Sequence, residues 1–214
     1  MATLPNTVKR ISPVEVRTGR VRLSFPHIFK PQAKKGTDGN VVVDDSGSPV
    51  MQYSCALIIP KTETEIVTAI QESMKAAAID FFGAGKVPAK WNAGFRDGDT
   101  DPSAMLDTLD PSKGRKPELV GCWFLNASTR QKPTVIGNEK DDFAGGWKLL
   151  GESDIKAGDW VRVQLRCYGF DVGTNKGVAF SFSGIQLFEQ GEALASGGFK
   201  ADAFDDEEVA AAFG

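Results

Sequence analysis

Histidine occurs once, at position 27, and tyrosine only twice in 214 residues. A single imidazole rules out a His-based catalytic triad elsewhere in the chain and a typical zinc site. The neighbours Phe25, Pro26 and Phe29 suggest that His27 packs at a strand end. The three cysteines, Cys55, Cys122 and Cys167, form no CxxC pair, and each lies in a strand-like apolar run. They read as buried, reduced thiols, which fits a reducing cytoplasm. No apolar run approaches membrane-spanning length and no signal-peptide pattern opens the chain, so no membrane partner is expected. GAGK at 83–86 lacks the full phosphate-loop spacing and the Ser or Thr after its lysine, and it follows a helix where that motif follows a strand.

An excess of positive charge is also lacking, with 25 Lys and Arg against 28 Asp and Glu. The formal net charge is -3, a poor sign for a partner made of phosphates until the distribution is considered. Residues 199–214 carry Lys200 against Asp202, Asp205, Asp206, Glu207 and Glu208, a net of -4. Residues 1–198 are therefore close to neutral at +1, and any anion-binding site must be a local basic face. GEALASGG at 191–198 reads as a flexible linker before this acidic tail. The expected organisation is one domain over 1–190, with linker and tail over 191–214. A hydrophobic content of 41% and 25% charged residues suit a soluble globular domain.

Such a face is visible in DWVRVQLRCYGF at 159–170. Val161, Val163, Leu165 and Cys167 fall on one side of a strand, and Trp160, Arg162, Gln164, Arg166 and Tyr168 on the other. The second side is basic and aromatic with no acid in it, a combination suited to a polymer with phosphates on one edge and flat bases on the other. A solvated Arg/Gln face with the two rings packing at the strand ends is the plainer alternative. A first strand at 16–25 repeats the theme: Val21, Leu23 and Phe25 alternate with Arg20, Arg22 and Ser24.

In chain order, residues 1–14 read as a loose arm. A lysine-bearing loop, a short strand at 41–43 and a turn at 45–49 lead to a strand at 50–59, with Tyr53 on the Cys55–Leu57 side. Thr62 with Glu65 forms a capping-box signature, and Ile66, Ile70, Met74, Ala77 and Phe81 follow at helical spacing to Gly83, predicting a helix over 62–82. Regular pattern is lost over 85–117, a length that favours a functional loop. A buried strand spans 119–128, and a second long connection spans 129–158 with Arg130, Lys132 and Trp147. Trp123 reads as core, whereas Trp91 and Trp147 lie in loops where either could stack on a base. After the 159–170 strand, a hairpin turn at 171–177 leads to the last strand, 178–188. There the apolar side changes parity near Gly184, which predicts a bulge. Three strands, one helix and then further strands is the order of an OB-fold. The expected fold is thus mainly β, an OB-fold-like Greek-key barrel with one α-helix and long loop insertions. A β-sandwich with one helix also fits.

RDGD at 96–99, LVGCWFLNASTRQKPTVI at 119–136, VRVQLRCYGFDV at 161–172, GVAFSFSGIQLFEQGE at 177–192 and the ending DDEEVAAAFG together resemble phage-encoded single-stranded-DNA-binding proteins with an OB-fold, found in replication and recombination modules. The resemblance implies sequence-independent binding of single-stranded DNA in the bacterial host cytoplasm. It also implies an acidic tail for self-regulation and for contacts with replication or recombination proteins, through Asp205, Asp206, Glu207, Glu208 and Phe213. Such tails often finish on an aromatic residue, whereas here Gly214 follows Phe213. On this reading Arg20, Arg22, Arg96, Arg130, Lys132, Arg162 and Arg166 would track phosphates. Trp160, Tyr168 and Tyr53 would stack on bases. No cofactor, metal or catalytic residue is expected, and a homo-oligomer is left open. Two alternatives remain. One is a metal-dependent nuclease or phosphoesterase using Asp97, Asp99 and Asp101, which lacks the second acidic cluster that two-metal sites draw on. The other is a phage structural or adaptor barrel, which leaves the basic-aromatic face unexplained.

Overall fold

Alternating apolar residues close into a ring. The computed structural model describes residues 4–36, 39–141 and 146–194; Asp205, Asp206, Glu207, Glu208 and Phe213 of the tail lie outside the described residues. The strands are β1 (Lys9–Ser12), β2 (Glu15–Arg17), β3 (Val21–Ala33), β4 (Met51–Pro60), β5 (Phe95–Asp97), β6 (Cys122–Thr129), β7 (Thr134–Lys140), β8 (Trp147–Leu149), β9 (Trp160–Val172) and β10 (Asn175–Glu189). One helix, α1 (Thr64–Phe82), follows β4. Pairing runs β3–β4–β6–β10–β9 and returns from β9 to β3, with β6 and β10 parallel and the other ring contacts antiparallel. This is the closed five-stranded arrangement of an OB-fold barrel. The β1–β2 hairpin extends the sheet beside β9, β5 beside β6, and β7–β8 beside β10.

The inward residues of every ring strand meet in one core, with Leu23, Leu57, Leu125, Val163, Leu165 and Phe180 essentially buried. Helix α1 lays Ile66, Ile70, Met74 and Ala77 on that core. Its last turn touches β9 where Gly169 leaves room: a Cβ there would stand 2.3 Å from that of Phe81. The bulge expected near Gly184 is present as a register shift between Phe182 and Gly184. It lets Phe182 and Ile185 share the core. All three cysteines are free, and burial pushes the Cys55 and Cys167 thiols up to about 12. No helix among the described residues is long and apolar enough to cross a membrane.

Several expectations are corrected. The helix sits between the second and third ring strands, not after the third, because 41–43 contributes only isolated bridges to the arm between β3 and β4. The capping box is not formed. Glu63 is the N-cap and makes no side-chain cap bond, and Phe81 is half exposed instead of core. Residues 1–14 are not simply a loose arm. Leu4 is buried, Asn6 accepts from the Arg20 amide at 2.6 Å, and residues 9–12 form β1. The 129–158 connection contains β7 and β8. The expected first strand divides into β2 and β3, and β3 runs on through Pro26 to Ala33 past a bulge at Phe25.

Candidate nucleic-acid interface

Register places one row of side chains across the outer face of the barrel. Trp160 of β9 pairs with Arg22 of β3, Arg22 with Ile58 of β4, Ile58 with Phe124 of β6, and Phe124 with Arg96 of β5. Cationic groups lie on both rings of the row. The Arg20 guanidinium sits 4.5 Å from the Trp160 ring centre, with Arg22 at 5.9 Å, and that of Arg96 sits 4.3 Å from the Phe124 centre. Such contacts contribute about 0.5–1 kcal/mol at exposed sites and more when desolvated. Arg96 also donates to Ser103 Oγ at 2.9 Å, and burial lowers its pKa. Arg20 is paired with Glu189 at 2.7 Å. Arg22 donates to the Glu192 carbonyl at 2.9 Å, so residues 191–194 cross this end of the row. There Gly191 is held by Asp159 and Leu194 packs beside Ile58 and Phe124.

Beyond the row lies a groove of about 560 Å³ whose floor is the outward face of β3, β4 and β6. Small residues, Ser24, Ser54, Ala56, Asn126 and Ser128, line it together with the larger Phe25, His27, Arg96, Lys116 and Glu118. Phe25 is 67% exposed and its backbone takes φ 45°, a conformation that a bulky L-residue rarely adopts. The bulge between Ser24 and His27 turns its ring out of the barrel. The expectation that Phe25 continues the Val21–Leu23 core side is thereby overturned.

One wall of the groove is the 98–121 excursion. Ala104 and Leu119 pack on Ile58 and Phe124 in a small second core. Lys61 fastens the excursion from below, at 2.6 Å from Asp97 Oδ1 and 2.7 Å from Asp99 Oδ2. The Lys61 ammonium holds the Asp97 carboxyl below its ordinary range, and the Gly121 amide with Lys61 does the same for Asp99. Asp101 accepts from the Ser103 amide. The RDGD aspartates thus shape the turn, and no group of carboxylates, histidines and cysteines able to hold a metal is found among the described residues. The nuclease reading has no donor cluster there.

The expected binding residues divide into three groups. Arg22, Trp160 and Arg96 share the row, and Arg20 lies over the Trp160 ring. Arg130 and Lys132 are exposed just past Ser128 at the far end of the groove. The other residues lie elsewhere. Arg162 does have outward parity but is only 5% exposed, since Pro5 and Gln186 cover it and accept its hydrogen bonds at 3.2 and 2.6 Å. Its expected role as an open phosphate contact is therefore corrected. Tyr53 has inward parity and packs against the main core, so it is not placed to stack on a base. Arg166 and Tyr168 are exposed, but they lie further along β9, where its neighbours are β2 and β10. Trp91 and Trp123 pack on the core, Trp123 stacked on Phe95, and Trp147 lies under Lys140. Phe25, Lys116 and Phe124 also line the groove, and the sequence does not mark them out. Lys116 closes a stretch without periodicity, and the other two look apolar in sequence.

A family model described as "Enterobacter phage Enc34, ssDNA-binding protein" matches residues 14–213. Protein p50 of Acyrthosiphon pisum secondary endosymbiont phage 1 is 24% identical over 198 residues, covering 92% of this chain and 96% of its own length. The fold is similar to that of the single-stranded DNA-binding protein from bacteriophage Enc34 in complex with ssDNA, with TM-score 0.62, 22% identity, and coverage of 87% of this chain and 96% of the other. A second structure of the Enc34 protein gives TM-score 0.62 at 20% identity, covering 92% and 97% of the two chains.

Proposed function

The chain belongs to the phage Enc34 ssDNA-binding protein family, and from that premise we propose that it binds single-stranded DNA along the β3–β4–β6 groove, independently of sequence, during phage replication or recombination. The observation that carries this reading is the groove itself. It mixes apolar residues with small polar ones, Phe25 stands exposed beside it, and Arg96, Lys116 and His27 line it against a single acid, Glu118. Rings accept any base by its π-face and cations follow the phosphates, so such a channel holds a strand without reading base edges. Arg22 with Trp160 at one end, and Arg130 with Lys132 at the other, extend the track. Binding of this kind requires neither ATP nor a metal. The body is near neutral, so the attraction is local to this face. The acidic tail is the natural competitor for it, and once displaced by DNA the tail is free to recruit replication or recombination proteins.

A titration of labelled oligo-dT, duplex DNA and RNA of equal length across a salt series tests the reading. The expected result is tight binding of oligo-dT and weak binding of duplex. Log affinity should fall with log salt at about -0.7 per phosphate contacted. Equal affinity for duplex, or no response to salt, contradicts it.

A further inference from the structure

On the other side of the ring, Arg17 of β2 and Arg162 of β9 line one cavity of about 400 Å³, together with Thr134, Gln164, Ser183 and Gln186. Arg162 is 5% exposed. Neither guanidinium forms an ion pair among the described residues, and the Nε atom of each is buried without an acceptor. Their hydrogen-bond partners are neutral. Arg17 donates to the Thr7 carbonyl at 3.0 Å and to Thr7 Oγ1 at 3.4 Å, and Arg162 donates to Pro5 and Gln186. Gln186 in turn is held by the Gly137 carbonyl at 3.1 Å. The nearest acid in the pairing register, Glu15, accepts from Gln164 at 2.6 Å and is not part of the lining. Two cations brought together without a counter-ion, one of them buried, repel each other and lose hydration, a cost that an anion between them offsets. Burial, followed by the charge of Arg17, lowers the Arg162 pKa.

We propose that the Arg17–Arg162 cavity is a phosphate pocket, taking a backbone phosphate of a single strand too long for the groove alone. The planar forks of two arginines suit a tetrahedral oxyanion, and the Gln164 and Thr134 side chains add polar groups at the lining. The source of the phosphate rests on the single-strand reading above, whereas the oxyanion chemistry of the pocket does not.

The experiment compares wild type, Arg17→Gln and Arg162→Gln. Arg17 is only half-buried, so Arg17→Gln keeps the test open should Arg162→Gln fail to fold. Thermal unfolding is measured in inorganic phosphate and in chloride at matched ionic strength. Affinities for oligo-dT of about 8 and about 30 nucleotides, one within and one well beyond the usual OB-fold site size of roughly 4–16, are then measured over a salt series. Phosphate should raise the Tm of wild type and not that of Arg17→Gln. The long oligonucleotide should bind Arg17→Gln several-fold more weakly, with a salt slope shallower by about 0.7 for the lost contact, while the short one is unaffected. If phosphate shifts both proteins equally and the long-oligonucleotide slopes coincide, the pocket is overturned and the arginines only tie down residues 5–7. A phosphate effect without a change in slope keeps the pocket and overturns DNA as its source. If wild type binds neither oligonucleotide, the single-strand reading fails, and the phosphate arm still decides the pocket.

Discussion

Phe25 is held at φ 45° with most of its ring in solvent. Left-handed backbone costs an L-residue about 1–2 kcal/mol, and an exposed ring recovers little of that by burial. Replacing Phe25 by Gly should therefore stabilise the fold by about 1 kcal/mol in urea denaturation. The same change should weaken oligo-dT binding by about 1–3 kcal/mol. A glycine variant that binds normally and melts earlier would make Phe25 a structural residue. Parity alone could not reveal this ring, because the bulge that reverses it depends on pairing with β4. Arg162 shows the converse limit. Its outward parity was legible, but the cover supplied by Pro5, 157 positions away, was not.

Strands β9 and β10 and the helix were legible because each carries a long run of its own period. Strands β1, β5, β7 and β8 are short. Their strand state comes from pairing that a short run does not announce, with a distant partner for β5 on β6 and for β7 on β10 around Gly184, and within hairpins for β1 and β8. The 98–121 excursion belongs with these, since its order comes from Lys61, Asp97 and Asp99. Both carboxylates have lowered pKa values, so their stabilisation is present above the ordinary aspartate value of about 3.9 and is lost as pH falls through the lowered values. Lys61 is raised, chiefly by its bonds to Asp97 and Asp99. Its contribution is present below the ordinary lysine value and lost as pH rises through the raised one. The Tm difference between wild type and Lys61→Ala should therefore be level from roughly pH 5 to pH 9 and close as pH drops under about 4. A gap unchanged at pH 3 would show that Lys61 acts by packing on Trp123, whose ring centre is 5.6 Å from its ammonium.

Across the whole molecule, the body is near neutral, while residues 199–214 concentrate acid. Ending the chain after Gly198 should tighten oligo-dT binding at low salt, and the gain should fade as salt screens both competitors. Equal affinities at low salt would mean that the tail does not compete. The central claim concerns where the strand lies, and amide hydrogen exchange with and without saturating oligo-dT tests it most directly. Protection is predicted over 24–28, 52–56, 115–119 and 124–128, the segments lining the groove. Protection confined to 164–168 on β9, with those four segments unchanged, would contradict the account.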